Sequence, residues 1–132
     1  MSTGLSSILL LSVAGACGCV LRAWVRDALL RRFLATWWSV AIINLVGALV
    51  MGAAAGATQA LTDAAGGWAP LVATGVLAGW TTYSAFTVDV VQLWLRGERA
   101  HAAALWAVTL LGAPALAFAG GALVRAAAGG GA

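Results

Sequence analysis

Polar and apolar positions in this chain are sorted into long blocks rather than alternated at a short period. Residues 1–21, 33–62, 64–88 and 100–124 carry no Asp, Glu, Lys or Arg. A helix that crosses a bilayer needs about 20 predominantly apolar residues. Each block therefore accommodates one crossing, and none comfortably holds two. The pattern predicts four membrane-spanning helices, over 5–21, 37–57, 71–95 and 102–124. A membrane β-barrel would alternate lipid-facing and lumen-facing residues at period two, and these runs are continuous. The fold class is read as all-α integral membrane. The connections 22–36, 62–70 and 96–101 are short, so 1–125 reads as one four-helix transmembrane domain and the Gly/Ala-rich stretch 126–132 as a disordered tail.

Composition agrees and narrows the function classes. The 132 residues are 63% hydrophobic and 8% charged, with 17 glycines, and the mean hydropathy is +0.99. A soluble domain carries about a quarter charged residues. Too little polar surface is present for a soluble enzyme, a nucleic-acid binder or a disordered chain. The first block lacks a basic leading segment and outlasts a typical signal-peptide core, so it reads as a retained helix. Cys17 and Cys19 sit two apart in it, where helical neighbours face different ways. They read as small packing residues.

Charge placement predicts orientation. Arg22, Arg26, Arg31, Arg32, Arg96 and Arg99 fall in or beside the first and third connections, and only Arg125 lies on the other side. The positive-inside rule then puts those two connections in the cytoplasm and both termini outside. Trp24, Trp37, Trp38, Trp68 and Trp94 lie near span ends, as an interfacial aromatic belt requires. Trp80 and Trp106 lie deeper and are expected to pack between helices.

Ionisable groups within spans are the usual markers of function, and only Asp89 is a candidate, within about two turns of Arg96. An ion-pair or capping role and a transport role both fit it, and His101 reads as interfacial. No Ser-His-Asp set, HExxH or phosphate-binding glycine loop is present, so enzymatic chemistry is not expected. Uncharged polarity is concentrated instead in two places. Asn44 falls near the middle of the second span with Gly47 three residues on. An unpartnered amide there costs several kcal/mol, so it must meet another helix, water or an ion. In the third span, Thr74, Thr81, Thr82, Tyr83, Ser84 and Thr87 bear hydroxyls among Gly75 and Gly79. Gly79 and the Thr81-Thr82 pair are poor helix formers and predict a break. Backbone freed at mid-membrane is tolerated only where protein, water or an ion satisfies it. Tyr83 and Phe86, three apart, share a face just beyond, with ring edges of positive potential.

These residues resemble a known family. Gly15-Ala-Cys-Gly-Cys-Val-Leu-Arg22 is similar to the glycine-rich first helix, ending in Arg, of the Fluc (CrcB) fluoride channels. Asn44-Leu-Val-Gly47 resembles their second-helix N-x-x-G, and Gly75-Val-Leu-Ala-Gly-Trp-Thr-Thr-Tyr-Ser-Ala-Phe86 their third-helix signature. The resemblance covers the whole chain, and the third motif is the specific one. It implies an antiparallel dimer of four-helix subunits with two fluoride pores and a central structural Na⁺ that is not transported. Backbone carbonyls of Ala78 and Thr81 would hold the Na⁺. Asn44, Tyr83, Phe86, Thr82, Ser84 and Thr109 would line the fluoride pathway, and Arg22 would serve a vestibule or the topology signal. Tyr83 stands where the signature has Phe, Ala78 where it has Gly, and Ala113 where a family serine is expected.

The implied activity is passive export of fluoride from the cytoplasm across the cell membrane. Two rivals are a small proton-coupled multidrug exporter and a non-transporting assembly subunit. The exporter needs a membrane carboxylate early in the chain, and residues 1–26 contain none. The scaffold leaves the clustering of polar residues with an aromatic pair unexplained. An antiparallel homodimer requires insertion both ways, which the arginine bias disfavours; the expected partner is an oppositely oriented paralogue.

Overall fold

The computed structural model describes residues 2–32, 36–60 and 68–129. Among them the chain forms five helices: α1 (Ser2–Arg31), α2 (Thr36–Ala60), α3 (Trp68–Trp80), α4 (Tyr83–Leu95) and α5 (Arg99–Gly129). α3 and α4 follow one another across Thr81 and Thr82 and together make one stretch, Trp68–Leu95, long and apolar enough to span a membrane. With Gly4–Arg31, Trp37–Thr58 and Arg99–Gly129 this gives four spans, the third of them broken. Large apolar side chains face outward along the bundle, such as Leu5, Val50, Leu111, Phe118 and Leu123. Exposure on that scale suits a lipid solvent, not water.

Helix ends depart from the hydropathy pattern where polar residues are good helix formers. α1 continues past the apolar run to Arg31. An Asp27–Arg31 pair at 2.9 Å, one turn apart, supports that last stretch. α5 runs through Ala126–Gly129, where composition suggested a disordered tail. Alanine has the highest helix propensity, so the helix simply persists; residues 130–132 lie outside the described residues. The turn between α4 and α5 is closed by Gly97 at φ +80°. Its N–H donates to Trp94 O and that of Glu98 to Leu93 O, the pairing of a Schellman cap.

Small residues set the packing. α1 packs most extensively on α3, and α2 on α5. GxxxG spacings, Gly52/Gly56 on α2 and Gly75/Gly79 on α3, let backbones approach closely. A Cβ added at Gly56 would lie 2.7 Å from Gly121 O, and one at Gly75 would lie 2.8 Å from Leu11 O. Without a hydrophobic drive between helices in lipid, such close contact is what holds them. A buried cluster of Val40, Ala41, Phe86, Leu93, Ala102 and Leu105 joins α2, α4 and α5. Trp80 packs between helices as expected, whereas Trp106 is 51% exposed and lies on an outer face.

Candidate functional site

The break between α3 and α4 is built by side chains that take over backbone hydrogen bonds. Thr82 is extended, at φ −148° and ψ 118°. Its N–H donates to Asn44 Oδ1 at 3.1 Å, and its carbonyl accepts from Asn44 Nδ2 at 3.3 Å. Asn44, 8% exposed on α2, thus satisfies both polar groups of one backbone residue. Thr82 in turn caps α4, its hydroxyl accepting from Ala85 N–H at 3.3 Å. The ends of the break are pinned as well. Trp80 Nε1 donates to Ile43 O at 2.8 Å, and the Thr81 hydroxyl donates to Leu77 O at 3.1 Å.

This rerouting has a specific consequence for two carbonyls. In a continuous helix, Ala78 O would accept from the N–H of Thr82 and Thr81 O from that of Ala85. Those two N–H groups are instead given to Asn44 and to the Thr82 hydroxyl. The carbonyls of Ala78 and Thr81 are therefore left without their helical donors. Ala78 is exposed at the surface of the chain and Thr81 half-buried.

Beside the break lies a cleft of about 330 Å³, lined by Asn44, Thr81, Thr82, Tyr83, Phe86 and Thr109, with the apolar Ala48, Leu110, Ala113 and Pro114 completing it. Five of the six residues singled out for an ion pathway are brought together here. Ser84 is the exception. It shares a hydrogen bond with the Thr82 hydroxyl at 3.1 Å but lines a different cleft, with Arg26 and Asp89. The Tyr83 and Phe86 rings are tilted by 49° with centroids 5.6 Å apart. Phe86 is 3% exposed and Tyr83 75%, so one ring is a wall of the bundle and the other stands at its surface. Thr109 Oγ1 is buried with no hydrogen-bond partner. A buried unpaired hydroxyl costs about 1–3 kcal/mol, and this one borders open space. Asn44 spends its Oδ1 and one N–H on Thr82, and retains one N–H of the two on its amide.

The ionisable residues take other places. Asp89 is 6% exposed, and its nearest cation is Arg26 on α1, at 3.9 Å, rather than Arg96. Sequence reasoning missed this partner because the two are far apart in the chain and only the tertiary fold joins them. Arg22 is half-buried, with Nε unpartnered. His101 is exposed, 3.2 Å from Glu98 Oε2 and against the Trp37 ring. Cys17 and Cys19 are free and exposed.

Comparison with known proteins identifies the family. The family described as CrcB-like protein, Camphor Resistance (CrcB), matches residues 9–121. The "Fluoride-specific ion channel FluC 2" of Nitrobacter hamburgensis is 41% identical over 120 residues, covering 89% of this chain and 95% of that one. The "Fluoride-specific ion channel FluC" of Rhizobium etli is 36% identical over 119 residues, with the same two coverages of 89% and 95%. That of Hyphomonas neptunium is 36% identical over 115 residues, 85% of this chain and 91% of its own. With four spans, a break in the third and a family match over nearly its whole length, the chain belongs to the CrcB family and is a multi-pass membrane protein.

Proposed function

We propose that this protein is a fluoride-selective channel that lets F⁻ leave the cytoplasm passively. The observation that carries the reading is the cleft at the break. Uncharged polar and aromatic groups from three helices line it: the Asn44 amide with its spare N–H, the hydroxyl-bearing Thr82 and Thr109, and the Tyr83 and Phe86 rings. Fluoride is strongly hydrated, and a path selective for it must replace water with donors. Fixed cations lining the path would hold the ion too tightly to release it. The cleft is lined by no charged residue, and the printed names of the relatives support the same activity.

The residues at the break also fit a structural Na⁺. The carbonyls of Ala78 and Thr81 are hard oxygen ligands whose helical donors have been diverted, and a hard cation prefers such ligands. When bound, the ion would supply positive charge that fixes the break. Exposure of Ala78 on the single chain suits a site completed by a second subunit. In the proposed assembly that subunit lies antiparallel, and the arginine bias favours a paralogue of opposite orientation over a second copy.

The reading is tested by growth. A bacterium lacking its own fluoride exporter should regain growth in fluoride when it expresses this protein, alone or with an oppositely biased paralogue, and lose that rescue on Phe86→Ile. Equal sensitivity with and without the protein contradicts the proposal.

A further inference from the structure

A second cleft, of about 390 Å³, lies between α1 and α4 and is lined by Arg26, Ser84, Ala85, Val88, Asp89 and Gln92. It has room for several waters, each of which fills about 30 Å³. Among the described residues the backbones of α1 and α4 nowhere pack closely, and one long cation reaches across. Arg26 Nη2 stands 3.9 Å from Asp89 Oδ1, with the side chains 35% and 7% exposed. A charge-assisted hydrogen bond would close to about 2.8 Å. Both groups also keep buried atoms without partners, Arg26 Nε and Asp89 Oδ2. The pair is therefore close enough to attract and too open to be satisfied. Its cleft adjoins the break, since Ser84 on its wall is hydrogen-bonded to Thr82.

We infer that Arg26 is an anion-binding residue at the mouth of the pathway and that Asp89 is its tethered competitor. The inference rests on the proposed fluoride pathway but concerns loading, which the uncharged cleft does not explain. A guanidinium in a half-buried site attracts a small inorganic anion strongly, because the effective dielectric there is low. A carboxylate held 3.9 Å away cancels most of that charge. It occupies the same donors whenever the anion moves on. Asp89 thus acts through Arg26 as a positioning residue that keeps binding weak and exchange fast.

Titration of the purified full-length protein with fluoride, followed by fluorine NMR line width, tests this. Asp89→Asn should tighten fluoride binding roughly threefold or more, the scale of a partly screened ion pair. Asp89→Glu should keep the wild-type affinity, and adding Arg26→Gln to Asp89→Asn should abolish the gain. Unchanged affinity in a folded Asp89→Asn protein, or a gain that survives Arg26→Gln, overturns the inference. If Asp89→Asn does not fold, Arg26→Gln alone must weaken binding, and unchanged binding again overturns it. These shifts in a protein that passes no fluoride through liposomes would refute the channel reading, and with it the loading role, while leaving the Arg26–Asp89 anion site itself.

Discussion

At the residue scale, one amide does the work of a helical turn. Asn44 was legible in the sequence as a costly mid-membrane polar group. Its partner was not, because Thr82 lies on another span and uses only its backbone. Asn44→Leu leaves the Thr82 N–H and carbonyl unpaired, at about 1–3 kcal/mol for each buried group. The midpoint of thermal unfolding in detergent should fall clearly; an unchanged midpoint would mean that the break is held elsewhere. Thr82→Ala removes the cap of α4 and should destabilise by about 1 kcal/mol, whereas Thr82→Ser keeps an N-cap hydroxyl and should be near neutral. Gly47 is fixed by its neighbours. A Cβ there would lie 2.6 Å from Thr81 Cγ2 and 2.7 Å from Trp80 Cδ1. Trp80 is tied to Ile43 O and cannot swing away freely. Gly47→Val should therefore cost about 1–3 kcal/mol through overpacking, read in the same melt.

At the element scale, hydropathy located all four spans, and the threonine pair located the break. The blocks fixed where a helix must be apolar but not where it stops, so α1 and α5 extend beyond their apolar runs. Pairing was also hidden, because small residues mark a contact face without naming the helix that meets it. α1 meets α3 through Gly75 and Gly79. A side chain at Gly79 would strike the α1 backbone at Gly15, with Cys19 N 3.0 Å away, whereas Gly4 has nothing within 4 Å. Gly79→Val should reduce the yield of monodisperse protein sharply, and Gly4→Val should not. Equal yields from the two variants would show that the α1–α3 contact does not hold the bundle. The site was legible to a similar degree. Asn44, Thr82, Tyr83, Phe86 and Thr109 share one cleft, but Ser84 lines the neighbouring one with Arg26 and Asp89. Spacing alone hid this, since the Ser84 hydroxyl meets that of Thr82 while the residue itself lines the neighbouring cleft.

At the scale of the whole molecule, scarcity of charge has two consequences. In the proposed channel the interior would handle an anion with uncharged donors, and the few arginines are free to set orientation. Arg22 and Arg26 lie within α1 and partly inside the bundle, so the topology signal rests on Arg31, Arg32, Arg96 and Arg99 against Arg125. Reporters fused to the C-terminus should signal from the outer side alone, and equal signals from both sides would contradict the need for an oppositely biased paralogue. The central claim is selective passage of fluoride, and its most direct measurement is ion efflux from liposomes loaded with fluoride or chloride. Liposomes bearing the purified protein, alone or with that paralogue, should release fluoride rapidly and chloride no faster than protein-free vesicles. Fluoride release at the protein-free rate in both preparations, or equal release of the two anions, would contradict the account.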